Sequence, residues 1–301
     1  MNKKVIYATV MYECNCFDTF INDYLRSVFE QTVQDFELLI IIDSADKSKI
    51  DNNIQKLNIN NKTIHIKKYL EALSPIQLRK KLIDISYSLN ADILIFSDFD
   101  ENVASNRVEE IVNNMSNYDF TFNDFYIVDN KLKRLEANSF FHNRDIPAEV
   151  TDWHYIQSFN YVGFGSLAIN LKSYDYQNLI FPDSIKALDW FIATVVLVNG
   201  GNGVKLINTY ANYRQHENSF VGFDFNLDEV KLMQGIDVKL SHYDYFKVYK
   251  EDFHTLYDNM IELKKYIDEN GTEEYIQKIN SKFDTNNFCW WENIKTLKEV
   301  L

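Results

Sequence analysis

Three carboxylates, Asp98, Asp100 and Glu101, close the apolar stretch DILIFSDFDE. Ile93 to Phe96 form a short continuous apolar run, which predicts a strand buried on both faces. The acids then sit at its carboxyl end, where open α/β sheets bind ligands. Asp98 and Asp100 are two apart, so on a regular strand both face one way, whereas in a turn they diverge. All eight glycines lie at or beyond Gly163. The first half therefore lacks the dinucleotide fingerprint and the P-loop, which hold phosphate with crowded backbone amides. A diphosphate bound to such an acidic domain needs a cation held by carboxylates.

Other chemistry-bearing residues sit at the ends of predicted elements. Asp43 ends a second apolar run, FELLIII. Asp189 lies at the start of a predicted helix over 187–198, which Gly200-Gly201 stops. Arg79 rides on a helix started by Ser74-Pro75, with Leu78, Leu82, Ile85 and Leu89 on one face. Arg214 and His216 follow a predicted strand over 204–213.

The elements that must position these groups alternate. A strand over 5–10 is followed by a polar turn over 12–18 and a helix with Ile21, Tyr24, Leu25 and Val28 inward, capped by Asp18 or Thr19 and ended by Gln31-Thr32. After Asp43 the chain reads as a polar loop up to a third strand over 63–66. A helix capped by Ser105 or Asn106 follows the acids. This rhythm predicts an α/β fold with a mainly parallel sheet flanked by helices. Residues 120–128 alternate like a half-buried strand, and 132–135 can pair with them across Asp129-Asn130. The aromatic, irregular stretch 136–162 is packing or a saccharide platform. One more strand is predicted over 167–171. From about Asp224 the pattern is that of charged amphipathic helices, so the expected organisation is a catalytic domain over 1–223 and a helical extension over 224–301.

A formal net charge of −13 repels phosphate backbones and argues against a nucleic-acid polymer as partner. No apolar run approaches the roughly 18 residues of a membrane span, and the N-terminus lacks a signal-peptide pattern, so a cytoplasmic protein is expected. Cys14, Cys16 and Cys289 are odd in number and badly spaced for a redox or zinc pair, and read as free thiols.

Four segments, in order and spacing, resemble the family 2 glycosyltransferases of GT-A fold: SVFEQTVQDFELLIIID (27–43), SPIQLRKKLIDIS leading into FSDFDE, ALDWFIATVVLVNGG (187–201) and YRQHENSFVG (213–222). The DW pair, the glycine turn and YRQH look most like the bacterial rhamnosyltransferase branch. The resemblance implies an inverting transfer of a sugar from a UDP or dTDP donor to a saccharide or lipid-linked acceptor, in bacterial surface polysaccharide synthesis. It implies Asp189 as catalytic base, Asp43, Arg79, Asp98 and Arg214 as nucleotide-sugar contacts, and Asp100 with His216 as ligands of Mn2+ or Mg2+. Glu101 receives no role from it. Leu188 stands where the family usually has Glu, which keeps a non-catalytic scaffold as the alternative. FSDFDEN also resembles the DxD strand of haloacid-dehalogenase-type phosphatases, but Asn102 replaces the Thr or Val expected there. The helical extension is expected to cover the acceptor cleft, to form a homodimer, or to approach the inner face of a membrane.

Overall fold

The structure, a computed structural model, describes residues 3–57, 62–215, 226–282 and 290–301. The predicted boundary near residue 223 lies outside the described residues, as do His216 and Cys289.

The N-terminal half is built from parallel strands joined by helices. Strands β1 (Val5–Met11), β2 (Glu37–Ile42), β3 (Ile64–Lys68) and β4 (Ile93–Phe96) are connected by helices α1 (Phe17–Phe29), α2 (Lys47–Lys56) and α3 (Pro75–Ser88). They lie in the order β3-β2-β1-β4, so the chain moves to one side of β1 for β2 and to the other for β4. That reversal opens a crevice at the carboxyl ends of β1 and β4, the place where such sheets take ligands. Beyond β4 the sheet is mixed. After the two-residue strand β5 (Asn102–Val103) and helix α4 (Arg107–Asn114) come β6 (Phe120–Val128), β7 (Glu149–Val150), β8 (Leu167–Asn170), α5 (Leu188–Val198) and β9 (Gly203–Arg214). Strand β8 inserts antiparallel between β4 and β6, and β9 runs parallel to β6 while β5 and β7 pair with it antiparallel. Segment 132–135 adds no strand of its own and contributes one bridge, Val128 to Arg134.

Apolar side chains alternate across β4 as the continuous run requires. Ile93 and Ile95 join one core with α1, α2 and α4, and Leu94 and Phe96 join the other with α3 and α5. The second core also takes in helices α6 (Glu229–Phe246), α7 (Glu251–Asn270), α8 (Glu273–Ser281) and α9 (Leu297–Val300). Gly271, at φ +82°, follows Asn270 and ends α7. None of the described helices is long and apolar enough to cross a membrane.

Helix ends differ from expectation in instructive ways. Ser74 and Gln77 form a reciprocal capping box at the start of α3. Helix α1 begins at Phe17 without a side-chain cap, and Asp18 lies in its first turn. Asn106 precedes α4 without capping it; Gln31 Oε1, at the end of α1, accepts from Val108 N at 2.9 Å, and Gln31 Nε2 donates to Ala104 O. The Gln-Thr pair therefore ties α1 to the loop that follows the acids. Beneath that loop Arg107 is fully buried and donates to Asn123 Oδ1, Tyr7 Oη and Phe96 O.

Candidate active site

A cavity of about 920 Å3 opens at the β1/β4 crevice, and most of the predicted site residues line it: Asp43, Arg79, Asp98, Asp100, Asp189 and Arg214. His216 cannot be placed, because it lies outside the described residues.

The three acids of β4 separate. Glu101 N donates to Asp98 O at 3.2 Å, so the chain turns immediately after the strand. Between the two aspartates, Phe99 is buried against Tyr12, Phe17 and Phe20, an anchor that fixes the turn. Asp98 points toward α3, where Arg79 Nη2 donates to its Oδ1 at 3.4 Å. Asp100 points toward the end of β1, where Tyr12 Oη donates to its Oδ2 at 3.4 Å. The diverging arrangement, one of the two left open by spacing, is the one adopted. Arg79 itself lies over the Phe164 ring at 4.5 Å, which orients its planar head while leaving its charge in the cavity.

Burial and mutual repulsion raise the proton affinity of this group. Asp98 is pushed up to about 6, first by burial and then by Asp100 and Asp189, with Arg79 acting in the opposite sense. Glu101 is driven well above the usual carboxylate range by burial and by Asp98 and Asp100, with Arg107 and Arg214 opposing. Such a set is costly without a counter-charge, and its donors are all oxygens, the preference of Mg2+ and Mn2+. Among the described residues no group of three His, Cys, Asp or Glu is arranged as a closed metal cage. An ion held by one or two carboxylates and completed by substrate phosphates needs none, so Asp100 and Asp98 fit it.

Asp189 stands in the first turn of α5. Its Oδ1 accepts from Trp190 N at 2.7 Å and from Asn160 Nδ2 at 3.2 Å. Burial nevertheless raises its pKa above the ordinary aspartate value, the direction that makes a carboxylate a better base. Trp190 is held in turn: its Nε1 donates to Ile156 O at 2.7 Å and its ring stacks on His242 of α6 at 3.6 Å. Asp43 is exposed where β2 ends at the cavity rim. Arg214, at the cavity wall, is tied to α1, donating to Asp23 Oδ2 at 2.8 Å and stacking on Phe20. Its charge reaches the site through Glu101.

Glu101 is the residue that sequence reasoning left without a role. It is 5% exposed, lines the cavity and packs on Gly165, where any Cβ would overlap the carboxylate and lie 2.7 Å from its Cδ. The one signal for it was Gly165 itself, a glycine 64 positions away whose partner no local pattern names. Gly165→Ala is expected to cost about 1–3 kcal/mol by overpacking. The double variant Gly165→Ala/Glu101→Ala should recover most of that loss in urea unfolding. Additive losses would show that the two residues do not meet. In the aromatic stretch Trp153 packs on Phe253 of α7, the packing expected of it, and Phe140, Phe159 and Tyr161 line the cavity.

No protein-family model matches the chain, and no curated protein matches it. Among solved structures, the mannosyltransferase PcManGT from Pyrobaculum calidifontis, in complex with GDP-Man and Mn2+, superposes with a TM-score of 0.56 at 11% identity. That match covers 81% of this chain, which spans 64% of the mannosyltransferase. Residues 1–349 of S. aureus TarS match with a TM-score of 0.57 at 15% identity, over 92% of this chain and 78% of that one. The same TarS segment in complex with UDP-GlcNAc matches with a TM-score of 0.53 at 14% identity, over 97% and 89%. With its switch point at β1/β4, its inserted antiparallel strand and its flanking helices, the chain has the GT-A fold that these structures share.

Proposed function

We propose that this protein is an inverting, cation-dependent glycosyltransferase of family 2 type, transferring a sugar from UDP or dTDP to a hydroxyl of a saccharide or lipid-linked acceptor in surface polysaccharide synthesis. The observation that carries this reading is the divergence of Asp98 and Asp100 at the end of β4, with Asp189 lining the same cavity. The structures of similar fold hold GDP-Man with Mn2+ in one case and UDP-GlcNAc in another, which agrees with a nucleotide-sugar donor here.

In this reading the nucleotide lies against β1, β2 and α3, with Asp43 facing the base, Asp98 the ribose and Arg79 the diphosphate. Asp100 would hold a divalent ion, which would supply electrostatic stabilisation of the departing diphosphate. Asp189 takes the proton from the acceptor hydroxyl as that oxygen attacks the anomeric carbon on the face opposite the leaving group. One C–O bond forms, the bond to the diphosphate breaks, and the sugar inverts. The Asn160 and Trp190 hydrogen bonds fix the base for that single displacement.

A thermal-shift series with UDP, dTDP and GDP, each with and without Mn2+, tests the reading. UDP or dTDP with Mn2+ is expected to raise Tm, and Asp100→Ala to remove the metal-dependent part of the rise. No shift with any nucleoside diphosphate would overturn it.

A further inference from the structure

The cavity has a second half whose walls come from the C-terminal helices. Gln234, Val238 and Lys239 of α6 line it, the first two one turn apart, and Trp291 and Ile294 of the terminal segment line it as well. This wall belongs to the Asp189 side. Asn160 bonds Asp189, Ser158 two residues earlier bonds Tyr243 of α6, and Trp190 stacks on His242 of the same helix. The group facing the incoming acceptor is therefore α6 and what packs on it.

Lys239 stands out on that wall. Its Nζ donates to Ile294 O at 2.8 Å, and no carboxylate among the described residues forms an ion pair with it. An ammonium has three donors, so two remain for a ligand. Lys295 adds a second positive charge from the terminal segment, and Glu299 is the acid that faces them. Burial and Lys295 together pull the Lys239 pKa down to about 8, with Glu299 acting in the opposite sense. The same cavity is also lined by aromatic rings and a hydroxyl. Phe125 and Phe140 stack at 4.3 Å on its lining, and the Tyr161 hydroxyl is buried without a hydrogen-bond partner. In a protein of net charge −13, a lysine on this wall with no ion pair among the described residues favours a ligand of negative charge.

We propose that Lys239 marks an anion subsite in the acceptor half of the cavity, so that the acceptor is a saccharide carrying a phosphate or carboxylate group. This rests on the glycosyl-transfer reading, and the two are tested apart. UDP with Mn2+ is titrated first by calorimetry. Glucose, glucose 6-phosphate and glucuronate are then each titrated into the protein with and without UDP·Mn2+. The expected result is that one or both anionic sugars bind at least tenfold tighter than glucose. Phosphate and carboxylate are distinguished by which one gains. Lys239→Gln, which keeps a donor for Ile294 O, should remove that gain and leave UDP affinity unchanged, and Lys239→Arg should retain it. Lys239→Met serves as a second neutral variant if the glutamine protein does not fold. Equal binding of all three sugars, or a gain that survives both neutral variants, would overturn the subsite. A failure of UDP to bind would overturn the transfer reading, and the sugar titrations without UDP would still decide on Lys239.

Discussion

Asp189→Asn is expected to lower kcat about a thousandfold, roughly 4 kcal/mol of transition-state stabilisation, while changing the donor KM less than twofold. The amide keeps an oxygen to accept from Trp190 N and Asn160 Nδ2, so the start of α5 stays in place. What is lost, on the proposed mechanism, is the site that receives the acceptor proton. The competing role for this residue is electrostatic support of the α5 N-terminus, worth about 0.3–1 kcal/mol of stability. That role predicts a small drop in Tm and a kcat within tenfold of the parent enzyme. Steady-state release of nucleoside diphosphate, measured with urea unfolding on the same samples, separates the two. The pH profile adds a signature that a structural role would not move. Burial holds the Asp189 pKa above its ordinary value, and a base works only when deprotonated, so activity falls on the acid side as pH drops through that raised pKa. In Asp189→Asn the residual activity should lose this acid limb.

How much of this site was legible follows from which signals are local. The run Ile93 to Phe96 made β4 and its acids readable, because a strand buried on both faces must be apolar at every position. Ser74-Pro75 made the start of α3 readable, because proline at the first helical position is a local signal, and the Ser74–Gln77 capping box completes that start in the structure. Helix α2 forms where the sequence predicts a loop: among its ten residues only Ile50 and Asn53 are buried, too few to show a helical stripe, although Asp46 caps it by accepting from Ser48 N. Strand β5 is two residues long and has no periodicity at all. The insertion of β8 between β4 and β6 depends on which edges meet, a non-local fact that Leu167 to Asn170 does not encode. Among the site residues, Asp43, Asp98, Asp100 and Asp189 stand at element ends where the pattern of apolar runs stops, and that is why they could be named. Glu101 and Lys239 could not. One is defined by its contact with Gly165, and the other by a terminal segment that folds back on α6.

Asp98→Asn is expected to stabilise the ligand-free protein at neutral pH while weakening UDP·Mn2+ binding at least tenfold. Folded Asp98 holds its proton to about pH 6, against 3.8 for the free side chain. A carboxyl whose pKa is raised by folding contributes stability that is complete below about pH 4 and is lost as pH rises through about 6. Glu101 and Asp189 are raised as well, so the acidic cluster as a whole favours the folded state less at neutral pH than at low pH. Asparagine removes one of the repelling charges and keeps an oxygen for Arg79. Asp98 leaves 31% of its side chain accessible, so solvent screens part of the repulsion and the gain is a few degrees in Tm rather than more. The difference in Tm between variant and parent should be near zero at pH 4 and grow to about 2–4 °C at pH 7.5. Adding UDP·Mn2+ should reverse the order, because the counter-charge that relieves the parent cluster has less to bind in the variant. A Tm difference that is negative or flat with pH would mean that the Arg79 pairing outweighs the repulsion, and that the acids are not poised for a cation. The reversal ties stability to the proposed function in one experiment: the carboxylates that repel one another in the crevice at β1 and β4 are the ones proposed to hold the donor complex.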